Sequence, residues 1–210
     1  MEEDKKAKKP EAKHQIKINK NLVVILSTII VLIAISVLAY KLVKPYPKQP
    51  DLVYNNFEFY KVNGSWFTKW QNEGQVYDIS LRFSPLEVEN VSVSGYGINQ
   101  TFLRQPFYIT FDPDENTSDF KYLALGVGEL GLNIVRGMGG QIQMACTKNI
   151  TDACADHPIV TCADDKGVFY IRTGAVPKVS LEGNCLILEG KELDLIKAID
   201  RVLYHFYKIM

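Results

Sequence analysis

Residues Asn21 to Tyr40 read NLVVILSTIIVLIAISVLAY, twenty positions without a charge, thirteen of them Leu, Ile or Val. At 1.5 Å rise per residue such a run matches a hydrocarbon core of about 30 Å. On an insertion scale its aliphatic side chains together contribute roughly −5 kcal/mol. A helix buried in a globular protein is rarely apolar on every face for about five turns. The run therefore predicts one transmembrane helix over 21–43, with the lipid bilayer as its partner.

Lysine placement sets the orientation. Seven lysines lie at positions 5, 6, 8, 9, 13, 17 and 20, before the run, while Lys41, Lys44 and Lys48 follow it. The positive-inside rule places the tail, 1–20, in the cytoplasm and the larger C-terminal part outside. Two other readings of the same run compete. Val37-Leu38-Ala39 offers a small-residue site for cleavage as a signal peptide, but the apolar stretch is longer than such peptides use. A pilin-like subunit also carries a long apolar helix before a globular head. Here Asn21 follows Lys20, where a small residue is expected.

Two features beyond the run agree with an extracytoplasmic domain. Asn63, Asn90, Asn99, Asn116 and Asn149 each open an Asn-x-Ser/Thr sequon. All lie after the span and near turn-forming residues, as glycosylation requires. The four cysteines, Cys146, Cys154, Cys162 and Cys185, also fall in this region. An even number in an oxidising compartment reads as two disulfides, of which Cys146–Cys154 and Cys162–Cys185 is the preferred pairing. Their spacing contains no C-x-x-C, and only His157 is nearby, so no metal site is expected. Total charge is zero, and the outer region has no basic surplus, which argues against nucleic acid.

Pro45, Pro47 and Pro50 make 44–51 a stiff linker. Residues 52–210 then form one domain of the α+β class, read as one mostly antiparallel sheet with two packing helices and one βαβ-like unit. Phe57 to Val62 runs into Asn63-Gly64, a strong hairpin signal, and Trp66 to Trp70 returns. Asn72-Glu73-Gly74 turns again, and Tyr77, Ile79, Leu81 and Phe83 alternate until Pro85. Phe107–Phe111, a helix from 120 to 136 and a strand from Gln141 to Cys146 make the βαβ unit. Phe120, Leu123, Ala124, Val127, Leu130 and Ile134 are read as the inner helix face, and Ser118 or Asp119 as its cap. Further strands are expected at Ile159–Cys162, Val168–Arg172, Lys178–Leu181 and Cys185–Leu188, before a last amphipathic helix. Its core face is read as Leu195, Ile199, Val202 and Phe206.

Several patterns resemble known chemistry without meeting its requirements. Gly126, Gly128 and Gly131 spell G-x-G-x-x-G inside a helix, where a dinucleotide site needs them at a strand-to-helix turn. They read instead as small residues that bring the helix close to the sheet. Asp112, Asp114 and Asn116 open like a calcium loop, but Thr117 and Leu123 stand where it needs Gly and Glu. Asp156 and His157 near Cys162 suggest a thiol catalyst only if that cysteine is free. Glu87, Glu89 and Glu129 could form an acid pair that sequence spacing does not reveal. No cofactor and no catalytic residue is assigned, and an enzyme is the lesser expectation. The density of Tyr54, Phe57, Phe59, Tyr60, Trp66, Phe67, Trp70 and Tyr77 is notable, since a strand buries only alternate residues. Tyr54, Phe57, Trp66 and Trp70 are the candidate surface for an envelope protein or glycan partner.

Three blocks carry a resemblance: Tyr54–Phe59 with Trp66-Phe67-Thr68; Ile109–Asp114; and Leu181–Gly190 running into Asp200–Tyr204. In these the chain resembles single-span archaeal membrane proteins of the conserved hypothetical class. That resemblance implies a cell-envelope setting in which outer glycosylation and disulfides are expected. It implies no activity. The expected function is a membrane-anchored binding or assembly module, with a carboxylate enzyme or a pilin-like subunit as alternatives.

Overall fold

The computed structural model describes residues 20–42, 49–95, 102–115 and 120–210, and the chain divides into two units, Met1–Tyr46 and Pro47–Met210. In the first, Lys20–Leu42 is one helix of 23 residues, α1. Its described side chains run continuously only over 24–38, all exposed. Among the described residues no helix is long and apolar enough to cross a membrane. The expectation of a span therefore rests on the sequence pattern.

The second unit begins with an antiparallel meander: β1 (Leu52–Tyr54), β2 (Phe57–Val62), β3 (Ser65–Asn72) and β4 (Gln75–Leu81), neighbours in chain order. Its turns are Asn55-Asn56, Asn63-Gly64 and Glu73-Gly74, each with φ between 46° and 85° at both central residues. Positive φ at both positions is the type I′ turn, whose twist suits paired strands. Alternation sends Phe59, Ile79 and Leu81 inward. Pro85 then opens a short helix, α2 (Pro85–Val88), capped reciprocally by Ser84 and Glu87.

A second, six-stranded sheet contains β5 (Ser92–Ser94), β6 (Phe107–Phe111), β7 (Ile142–Cys146), β8 (Val168–Thr173), β9 (Lys178–Glu182) and β10 (Cys185–Gly190). The order is β5-β9-β10-β8-β6-β7. The chain leaves β6 through α3 (Phe120–Leu132) and a π-helical turn, Asn133–Gly137, and returns as the parallel neighbour β7. This is the expected βαβ unit. The expected single, mostly antiparallel sheet is corrected to two sheets, with four antiparallel and four parallel pairings among the described strands. The difference arises because β8 inserts between β6 and β10, parallel to both. Alternation within a strand marks which face is buried but not which neighbour it will take. The strand expected at Ile159–Cys162 reduces to one bridge, Cys146 to Ile159. Asp164 draws the chain into a local turn there by accepting the Thr161 N–H at 2.7 Å.

The last helix, α4 (Leu193–Phe206), lies between the two sheets. Phe59 and Trp70 of the meander meet Tyr204 and Tyr207, with centroids 5.9 and 5.0 Å apart. Its other side rests on β9 and β10. Eight of its fourteen residues are consequently buried. The far face of the mixed sheet carries a small second core of Ala145, Val160, Val168, Cys185 and Ile187. The inner face of α3 is Leu123, Gly126, Leu130 and Ile134, while Phe120 and Ala124 are exposed, a rotation from the expected register. Its glycines bring it close to α4 as well as to the sheet. A Cβ on Gly126 would stand 2.5 Å from Ile199 Cδ1, one on Gly131 2.8 Å from Ile142 Cδ1, and one on Gly137 would overlap the Tyr207 hydroxyl.

Candidate functional site

The cysteines pair as expected, Cys146 with Cys154 and Cys162 with Cys185, leaving none free. Cys162 is thus occupied, and Asp156 and His157 are solvent-exposed beside it. Asn63 and Asn90 are exposed at turns and Asn149 is exposed in an irregular segment, while Asn99 and Asn116 lie outside the described residues, as do Ser118 and Asp119. Tyr54, Phe57, Trp66 and Trp70 are half-buried and pack against the main core. Much of their apolar surface is thus directed inward. Lys61 Nζ sits 5.1 Å above the Trp66 ring, and the Tyr54 hydroxyl donates to Glu89 at 3.3 Å.

The carboxyl ends of β6, β7, β8 and β10 form one rim, the usual location of ligand sites in parallel sheets. Here it is closed by its own ion pairs. Lys148 holds Asp112 and Asp114 at 3.0 Å each, and Arg172 Nη2 meets Glu189 at 2.8 Å. The Thr173 N–H donates to both Glu115 oxygens. Burial raises the Asp112 pKa, but the Asp114 N–H and the Lys148 ammonium outweigh it, so the carboxyl titrates below its ordinary value. Among the described residues no three potential ligands gather for a metal ion.

Two places stand out chemically. The first is a carboxyl pair, Glu129 of α3 with Asp200 of α4. Asp200 has 0% of its surface exposed. Its Oδ2 accepts the Phe83 N–H at 2.8 Å, while Glu129 Oε1 accepts the Arg82 N–H at 2.9 Å. The Tyr204 hydroxyl donates to the Phe83 carbonyl at 2.7 Å. Three side chains on two helices therefore hold the main chain where it leaves β4. Asp200 Oδ1 is enclosed and receives no well-formed bond from an N–H, and the Glu129 carboxyl lies within hydrogen-bonding reach of Asp200. Two acceptors join only through a proton. Burial, and next the negative Glu129, raise the Asp200 pKa well above the carboxylate range. Burial raises Glu129 too, partly offset by Arg82, whose Nε is 3.6 Å from Oε2. Both carboxyls are thus shifted towards their protonated forms, and Asp200, fully enclosed, is out of reach of a substrate. The pair clamps the main chain at the exit of β4.

The second is a groove of about 400 Å³ between α4 and the β5–β9–β10 edge of the mixed sheet. Val93, Val179, Leu181, Leu186, Val202 and Phe206 supply its apolar walls, and Arg201 and His205 its polar ones. Among the described residues no carboxylate lines it. Arg201 has no ion-pair partner among the described residues. Its Nε is enclosed without an acceptor, and Nη1 is 2.9 Å from the Met210 thioether, a weak acceptor.

Glu129 is legible in the sequence only as one of several scattered acids, and Asp200 is not legible as a buried one, because amphipathic spacing gives α4 a single inner face. The available signal was an Asp among Ile199, Val202 and Leu203, which a helix covered on both sides would explain. No protein-family model matches the chain, and no curated protein or solved structure matches it either.

Proposed function

We propose that the chain is a membrane-anchored, extracytoplasmic binding module: residues 1–20 in the cytoplasm, 21–43 across the bilayer, and 52–210 outside, with the α4 groove as the binding site. The observation that carries this reading is the pair of disulfides. Bonds of this kind persist in oxidising compartments and are rare in the cytosol, and both fall in the part that follows the charge-free run. The lysine bias and the exposed sequons at Asn63, Asn90 and Asn149 support the same orientation. The groove favours binding over catalysis, since it joins mostly apolar walls to the Arg201 cation, and the one hydroxyl among its described lining residues, Ser94, donates to the Val179 carbonyl at 3.4 Å.

Protease added to intact cells tests the topology. It should digest the C-terminal domain while an epitope on the lysine-rich tail survives, and alkylation before reduction should label no cysteine. A chain recovered from the soluble cytosol with four reactive thiols would overturn the proposal. Processing after Lys20 with filaments visible by microscopy would replace it with the pilin-like reading.

A further inference from the structure

We propose that the α4 groove binds a single-chain amphiphile with a carboxylate head, of the fatty-acid class, the head meeting Arg201 and the chain lying along Val179, Leu186, Val202 and Phe206. This names the ligand of the binding module proposed above, and it rests on that reading of the groove, though not on the anchor.

Arg201 is half-buried, and its Nε is enclosed with no acceptor among the described residues, so that part of the guanidinium loses hydration that the fold does not replace. Buried cations are ordinarily paired, and the other arginines with enclosed surroundings each face a carboxylate: Arg82, whose Nε likewise lacks a hydrogen bond, stands 3.6 Å from Glu129, and Arg172 lies 2.8 Å from Glu189. Arg201 has only a thioether, and its Nε has nothing. A carboxylate matches the planar donors of arginine by two parallel hydrogen bonds. The adjoining His205 adds another polar group on the same wall, and among the described lining residues no acid opposes an incoming anion.

The walls fix the remainder of the ligand. Val179, Leu186 and Val202 are almost wholly buried by their neighbours, which leaves a firm apolar floor, whereas Val93 at the mouth is 59% exposed. A cavity of about 400 Å³ lies at the small end of ligand pockets and suits one aliphatic chain. A phospholipid with two chains would need more room. An extended peptide ending in a free carboxylate is a different occupant. It would take its affinity from main-chain pairing along β5, which is only three residues long.

The test uses the full chain in phosphatidylcholine nanodiscs, radiolabelled dodecanoate, and empty discs as the background. Saturable binding of about one dodecanoate per chain is expected. Arg201→Gln should weaken it about tenfold or more, since a charge-assisted pair becomes a neutral one. Val93→Asp, an exposed substitution that sets a negative charge at the mouth, should weaken it as well, with thermal melting unchanged. Dodecyltrimethylammonium should not compete. Binding no greater than to empty discs overturns the proposal, and so does equal competition by the cationic amphiphile. A folded Arg201→Gln variant that binds like the parent is equally fatal, as is capture of a valine-rich C-terminal peptide that dodecanoate fails to displace. Where Arg201→Gln does not fold, Val93→Asp decides. If the chain proves soluble, the measurement is made in buffer, so failure of the anchor leaves this test intact.

Discussion

Asp200 and Glu129, on different helices, stand within hydrogen-bonding reach of each other while each accepts a main-chain N–H from the exit of β4. Burial raises the Asp200 carboxyl well above its ordinary value, so folding favours uptake of a proton that the unfolded chain would release near pH 4.

The sign of the resulting pH dependence follows. Asp200 is raised in the folded state, so above the unfolded carboxylate pKa the folded chain holds more protons, and stability falls as pH rises from about 4 towards the native value. Asp112 and Glu87 are lowered and act in the opposite sense: their stabilisation is lost as pH falls below about 4. Asp200→Asn supplies an amide that donates to Glu129 and accepts from Phe83. Its denaturation midpoint should be at least that of the parent at pH 7 and flatter between about pH 4 and 8. Asp200→Ala, which leaves the Phe83 N–H unpaired, should lose about 1–3 kcal/mol. Urea titrations across pH would show both.

The glycines of α3 and of the π-helical turn after it divide by surroundings. Gly128 has nothing within 4 Å of an added Cβ, so Gly128→Ala should stabilise by about 0.5–1 kcal/mol through helix propensity alone. At Gly137 an added methyl displaces the Tyr207 hydroxyl from Asn133, which it reaches at 2.8 Å. Gly137→Ala should cost about 1–3 kcal/mol, and thermal melts of the two variants should move in opposite directions.

Loop length orders the disulfides. Cys162–Cys185 closes 23 residues and Cys146–Cys154 closes 8. Loop entropy gives about 3.4 and 2.5 kcal/mol respectively, so replacing the first pair by serine should lower the denaturation midpoint more. Equal losses would show that native contacts of the 147–166 loop, and not chain entropy, dominate.

Asn63 combines an exposed sequon with φ of 52°. In a glycosylating host, Asn63→Gln should remove one glycan by gel mobility and also cost about 1 kcal/mol, because Gln tolerates that backbone less well. Asn63→Gly should remove the glycan without the second loss.

The meander was legible because its register is written locally: Asn63-Gly64 and Glu73-Gly74 announce turns, and Ile79 and Leu81 announce a face. The disulfides were legible because an even count and the chain's flank limited the choices. What stayed hidden was non-local. Nothing near Val168 states that β8 slides between β6 and β10. Nothing near Asp200 states that a second sheet will cover the outer side of its helix, turning a surface-type residue into the most enclosed carboxyl of the domain. The groove was unreadable for the same reason, since its walls come from three strands and a helix distant in sequence.

Strand β5 pairs only with β9, Ser92 against Lys178, with β6, α3, β7 and β8 intervening in the chain. During synthesis the early strand must wait for a neighbour that is made much later. Non-local closure of this sort is slow, and the waiting surface is adhesive. The pairing edge of β5 therefore stays open through the synthesis of more than eighty residues, until β9 has been made.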